Sequence, residues 1–258
     1  MTISYFPIGD KIGPRIYTPV GPVDTVNGPF YEYRVGSVIA EGDGGAEFVY
    51  VKFTATAGQV LNQGDLLVID NNFTALKATS TNALLGMKAG TFFVGGRFGG
   101  PQSAPFSFTF KTAGDYGLWV QTDGTSLLNV ASTGVVQKTV TTTATAGQAD
   151  APTGGPAVGT KTLFGAFLPA ASYTFTADTT NTSKVLKNIS TVTGIYPNQA
   201  VSGTGIAANS TIVSIDGNPG AYTITLNNAA TATGSTITIT ATGYLEAYLN
   251  DAFVSAAN

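Results

Sequence analysis

Residues 47–53 read Glu47-Phe48-Val49-Tyr50-Val51-Lys52-Phe53, and their alternation decides the fold class. A period of two places Phe48, Tyr50 and Lys52 on one face and Val49, Val51 and Phe53 on the other. Both faces are largely apolar, so the segment reads as a buried strand. Outward from it, strand-like runs are separated by GDGG, AGQ, NQGD and DNN, which are turn signals at spacings typical of β architectures. Further strands are expected at 91–98, at 105–111 with Phe106, Phe108 and Phe110 on one side, and at 116–121. Two more β segments are expected at 135–147 and 160–178, with the loop GQADAPTGGPAVG between them. Trp119, the single tryptophan, lies between AGD and TDG turns and is expected to anchor the core.

Composition agrees with this reading and narrows the function. Charged residues are 10% of the 258-residue chain and apolar ones 43%, whereas roughly 25% charged is usual. The surface must therefore be mostly neutral. A net charge of -3 with 15 Phe and 11 Tyr does not suit a disordered chain, which needs high charge and few aromatics. The 32 glycines and 12 prolines supply the turns that many short strands require. All-β is the expected class.

Cys and His are both absent. Disulfides, thiolate nucleophiles, imidazole bases and the usual zinc ligands are thereby removed. Paired acids could still support glycoside hydrolysis, but Glu41, Asp43 and Glu47 lie in a glycine-rich turn, Asp65 and Asp70 flank a strand, and Asp115 and Asp123 bracket another. These are places where acids serve turns. The oxygen-rich turns EGDGGAE (41–47) and NQGD (62–65) do not match a dedicated calcium loop. Residues 95–100, GGRFGG, lack the ending of a phosphate cradle. No catalytic, cofactor or metal site is expected, and the chain is read as not an enzyme. Lys and Arg are scattered singly with no basic stripe, so no nucleic-acid contact is expected. The start MTISYFPIGDKIGPR lacks a signal-peptide pattern and no apolar run approaches a membrane span, so a soluble, unexported protein without membrane contact is expected. The triplets at Asn181, Asn188 and Asn209 are read as chance matches to a glycan acceptor.

Composition shifts divide the chain. Residues 1–30 carry Pro7, Pro14, Pro19, Pro22 and Pro29 with apolar residues between them. Proline fixes φ and removes donors, so this segment is expected to run as an extended arm over its own domain or over a neighbour. Residues 31–178 are expected to form a β body. Residues 179–241 lack basic residues after Lys187 and are rich in Thr, Ser, Ala and Asn; they read as a small sandwich module with strands at 185–193, 210–216, 221–227 and 235–241. In the last segment, Tyr244, Glu246 and Tyr248 alternate with Leu245, Ala247 and Leu249, which favours a strand. If 242–258 pairs with the body, the module is an insertion.

The run YRVGSVIAEGDGGAEFVYVKFTATAGQVLNQGDLLVID (33–70), followed by ALLGMKAG (83–90) and AGDYGLWVQTDG (113–124), resembles the head decoration, or cement, proteins of tailed bacteriophages. A second resemblance, through Val192-Thr193-Gly194-Ile195, Val201-Ser202-Gly203-Thr204-Gly205-Ile206, ANSTIVSID (208–216) and TITLNNAATATGSTITIT (223–240), is to a short Ig-like β module of phage structural proteins. Ala207 stands where that module commonly has Pro. The resemblance implies a β-barrel or β-tulip-like body with an extended arm, attached in many copies to the outside of an assembled capsid. It implies the major capsid protein as partner, a homo-oligomer with a trimer favoured, and a place on the virion surface after synthesis in the host cytoplasm. Capsid or subunit contacts are then expected at Tyr5, Phe6, Ile8, Ile12, Ile16 and Tyr17 of the arm. The competing expectation is a tail or fibre component whose 179–241 module binds a host surface or glycan, although fibres usually carry long repeats. A carbohydrate-active β enzyme is the third.

Overall fold

A computed structural model describes residues 34–40, 46–92, 107–131, 139–151, 158–167, 172–218 and 220–257. The expected arm and its six contact residues, the glycine loop 95–100, and Glu41 and Asp43 lie outside the described residues. The described residues form strands and turns with no helix, so the protein is all-β. The chain divides into two compact units, one of Met1–Gly95, Ser107–Pro169 and Glu246–Asn258, the other of Gly96–Phe106 and Ala170–Leu245.

The first unit holds β1 (Val38–Ala40), β2 (Ala46–Ala55), β3 (Val60–Asn62), β4 (Leu66–Ile69), β5 (Thr74–Lys77), β6 (Lys88–Phe92), β7 (Ser107–Thr109), β8 (Gly114–Asn129), β9 (Thr139–Thr142), β10 (Ala149–Asp150) and β11 (Lys161–Phe167). The second holds β12 (Tyr173–Thr179), β13 (Val185–Leu186), β14 (Ala200–Gly203), β15 (Ser210–Asp216), β16 (Thr223–Leu226) and β17 (Gly234–Thr242). The last strand, β18 (Tyr244–Ala257), pairs antiparallel with β11. The second unit is therefore an insertion in the chain of the first.

Ten strands join in the order β1-β2-β5-β4-β6-β8-β18-β11-β9-β10, with β2 also pairing β8. That extra pairing closes a circuit through β2, β5, β4, β6 and β8. A parallel bridge between Val130 and Ala149 links the end of β8 to β10, so β8 also belongs to a circuit with β18, β11, β9 and β10. The strand β2 behaves as its alternation requires. Val49, Val51 and Phe53 lie opposite Val120, Leu118 and Tyr116 of β8, and all six are buried in one cluster with Leu61, Leu67, Phe92 and Phe110. Phe110 stacks on Phe53 at 5.3 Å between centroids and meets Tyr116 edge-on at 4.7 Å. On the other face of β2, Phe48 and Tyr50 are also buried, and Tyr50 packs on its cross-strand partner Trp119 at 4.9 Å. Trp119 is thus a core anchor. Beside it, a Cβ on Gly117 would lie 1.9 Å from the Tyr50 hydroxyl, so the strand crossing requires glycine there.

Several expected boundaries move. The strand expected at 116–121 does not end at Thr122-Asp123-Gly124; β8 continues to Asn129. Gly124 adopts φ +85°, and the register shifts so that Glu47 faces Asp123 while Phe48 faces Gln121. An Asp-Gly pair with positive φ serves a bulge as well as a hairpin turn. The Gln121 side chain compensates by donating to the carbonyls of Asp123 and Thr125 at 3.0 and 2.9 Å. The segment expected at 160–178 is two strands, β11 and β12, belonging to different units. The loop expected after residue 147 contains β10, and the strand expected at 135–147 is described as β9 over 139–142. The strand expected at 91–98 is β6, Lys88–Phe92, with 93–98 outside the described residues.

In the second unit the strands run β12-β17-β14-β15-β16-β13. Because β12 pairs with β17 over Tyr173–Thr179, this unit begins before residue 179. Asp178 and Lys187 bridge β12 to β13, joining the two ends of the sheet. Phe175, Leu186, Val201, Ile212, Ile215, Ile224, Leu226 and Ile239 form its own core. The expected strand 185–193 is cut to Val185–Leu186, where Asn188 takes φ +51°.

Candidate adhesive face

On β11 and β18, Leu163, Leu249 and Val254 point into the first unit, while Phe164, Tyr248 and Phe253 are 63%, 51% and 38% exposed. Phe164 is the cross-strand partner of Phe253, and Phe253 is the partner of Lys88 on β6. Directly opposed residues project on the same side. Lys88, Phe253 and Phe164 therefore form one outward row across three strands, with the two rings 5.4 Å apart. The register skips between Phe164 and Ala166, which face Phe253 and Leu249. Asn250–Ala252 form the bulge opposite Gly165, whose Cβ, if present, would lie 2.3 Å from the Asn250 carbonyl. Asp251, at φ +45° on this bulge, meets Lys88 at 3.1 Å.

A turn at 84–87 adds exposed apolar residues next to β18. The Gly86 amide donates to the Val254 carbonyl at 2.8 Å and the Val254 amide to Met87 at 2.9 Å. This holds Leu84 and Leu85 beside β18, 59% and 62% exposed. They line a recess of about 380 Å³ with Asp70, Asn71, Asn72, Gly86 and Met87. Scattered single apolar residues on a surface are ordinary, whereas several gathered on one face indicate contact with another surface. Glu47 lies at the edge of this region. Its carboxyl is held above its ordinary range by burial, then by the nearby Asp251 carboxylate, with Lys88 opposing.

Four of the carboxylates weighed for catalysis, Asp65, Asp70, Asp115 and Asp123, make local contacts. Asp70 accepts the amides of Asn72 and Thr74, both at 2.8 Å, and so shapes its own turn. Asp65 is buried against Lys77 at 2.6 Å, so an ammonium already sits where a cation would bind in the NQGD turn. Asp115 pairs with Lys52 at 3.7 Å, and Asp123 accepts the Gly124 amide at 2.6 Å. Among the described residues no three His, Cys, Asp or Glu side chains gather around a metal position, and no helix is long and apolar enough to cross a membrane. In the inserted unit, Asn188 donates to Asp178 at 2.6 Å.

Sequence reasoning placed its contact residues in the arm, outside the described residues, and did not single out the exposed row on β11 and β18. The alternation Tyr244–Leu249 identified the strand but not which of its faces is covered. No family model, curated protein or solved structure matches this chain.

Proposed function

We propose that this protein is a virion structural protein of a tailed phage, a cement protein that binds the outside of the assembled capsid and stabilises it without catalysing a reaction. The observation that carries the proposal is the exposed Phe164–Phe253 pair, with Tyr248 also exposed on the same strand and Leu84 and Leu85 exposed on the turn bonded to it, on a chain with only 10% charged residues. The partner is the major capsid protein. The likeness of 33–70, 83–90 and 113–124 to decoration proteins, read as a β-barrel or β-tulip-like body with an Ig-like insertion, supports the same assignment.

Energetics favour many weak contacts. Covering a large apolar side chain contributes about 1.5–3 kcal/mol, and the rings here are already partly covered, so each contributes less. Losses of rigid-body freedom offset several such contacts. A single copy would bind modestly, and an oligomer, a trimer by preference, presenting several faces at once would bind far more tightly. The arm residues Tyr5, Phe6, Ile8, Ile12, Ile16 and Tyr17 would add contact area on the capsid or on a neighbouring subunit.

Deleting residues 2–30 and, separately, replacing Phe164 and Phe253 by Ala tests this reading. Co-sedimentation with undecorated capsids should weaken in both variants. Unchanged binding in both would remove the proposal.

A further inference from the structure

We propose that Lys77 and Asn129 are joined by an isopeptide bond that forms within the folded chain, with Asp65 as the proton carrier. An amine and a carboxamide meet on the two oxygens of one buried carboxylate. Asp65 is 1% exposed; one carboxylate oxygen accepts from Lys77 Nζ at 2.6 Å and the other from Asn129 Nδ2 at 3.2 Å. The Asn62 amide donates to the first oxygen at 2.9 Å.

The backbone fixes all three groups. The Asn129 amide, at the end of β8, donates to Gly64 at 2.8 Å, next to Asp65. Lys77 ends β5 opposite Leu67 of β4, and the following Ala78 amide donates to Leu66 at 2.9 Å. Gly147 covers the carboxylate: its amide donates to Ala78, its carbonyl accepts from Leu66, and a Cβ there would lie 3.0 Å from Asp65 Cγ. A carboxylate buried this completely in an ion pair carries a desolvation cost that apolar packing would avoid. Holding a nucleophile and an electrophile at one site replaces an encounter in water by an intramolecular step, the main requirement for an otherwise slow amide exchange.

The atoms balance without a cofactor. The Lys77 ammonium gives a proton to Asp65, and the neutral Nζ attacks Asn129 Cγ. The tetrahedral intermediate expels Nδ2, which takes a proton from Asp65 and leaves as ammonia. The second proton lost by Nζ stays on Asp65. The Nζ–Cγ bond forms and the Cγ–Nδ2 bond breaks. The product ties β5 to the far end of β8, so the chain between them becomes a covalent ring that resists unthreading under load. This inference stands on the geometry alone and does not require the capsid assignment.

Intact mass measured under denaturing conditions on the purified, folded full chain decides the matter. The wild type should be lighter than its sequence by one ammonia, allowing for removal of the initiator methionine. Trypsin should release one joined peptide containing both Lys77 and Asn129, with no cleavage after Lys77. The Lys77→Arg chain should have its full sequence mass. A wild-type chain of full mass overturns the proposal without any variant needing to fold. Loss of water instead of ammonia, or a Lys77→Arg chain that is equally light, also overturns it.

Discussion

Phe164 and Phe253 face each other across β11 and β18 with ring centroids 5.4 Å apart, yet both rings remain open to solvent. Such a pair contributes about 0.5–1.5 kcal/mol beyond its area, at the low end here because water reaches both rings. Phe164→Ala and Phe253→Ala should each lower the unfolding free energy by under about 1 kcal/mol, close to an ordinary surface change. The same substitutions should weaken capsid co-sedimentation clearly. A large stability loss with unchanged binding would assign the pair to folding instead.

Gly117 faces the Tyr50 hydroxyl at the crossing of β2 and β8. Gly117→Ala forces that ring or the strand to move, and overpacking of this kind costs about 1–3 kcal/mol. Urea denaturation should show the loss, and Gly117→Ala combined with Tyr50→Phe should recover part of it. No recovery would show that the hydroxyl is not the obstacle.

Gln121 holds the β8 bulge by donating to two carbonyls. Gln121→Ala leaves both half-buried carbonyls without that donor, at the low end of about 1–3 kcal/mol for each because water reaches them. The amide exchange of residues 122–126 should quicken more than that of residues 116–120. Uniform exchange along β8 would contradict a local role.

The fold class was legible in the sequence because Phe48–Phe53 is a short aromatic and β-branched run, apolar on both faces and bounded by turn signals, as a covered strand is. The bulge at Asp123-Gly124 was not legible, since the same dipeptide makes a hairpin turn and only the Gln121 side chain and the register of β2 decide between them. Phe164 and Phe253 were also hidden. Alternation sorts residues into two faces but does not say which one the rest of the chain covers. The pairing of β12 with β17 depends on residues more than fifty positions apart, beyond the reach of local turn signals.

Glu47 titrates above its ordinary range in the folded chain because burial and Asp251 disfavour its charge. A raised carboxyl binds its proton more tightly folded than unfolded, so the fold gains stability from Glu47 as pH falls through the carboxylate range and loses it as pH rises. The effect is small because the group is largely solvated. Thermal scans across that range should show the stability of Glu47→Gln relative to the wild type rising as pH rises. A relative stability that falls as pH rises would reverse the sign assigned here.

The central claim is attachment in many copies to the capsid exterior, and the most direct measurement is the copy number and position of this chain on purified particles. Quantitative mass spectrometry with electron cryomicroscopy should find it repeated over the capsid lattice, with Phe164, Phe253, Leu84 and Leu85 at the contact. A handful of copies confined to the tail, or none on the particle, would contradict the account.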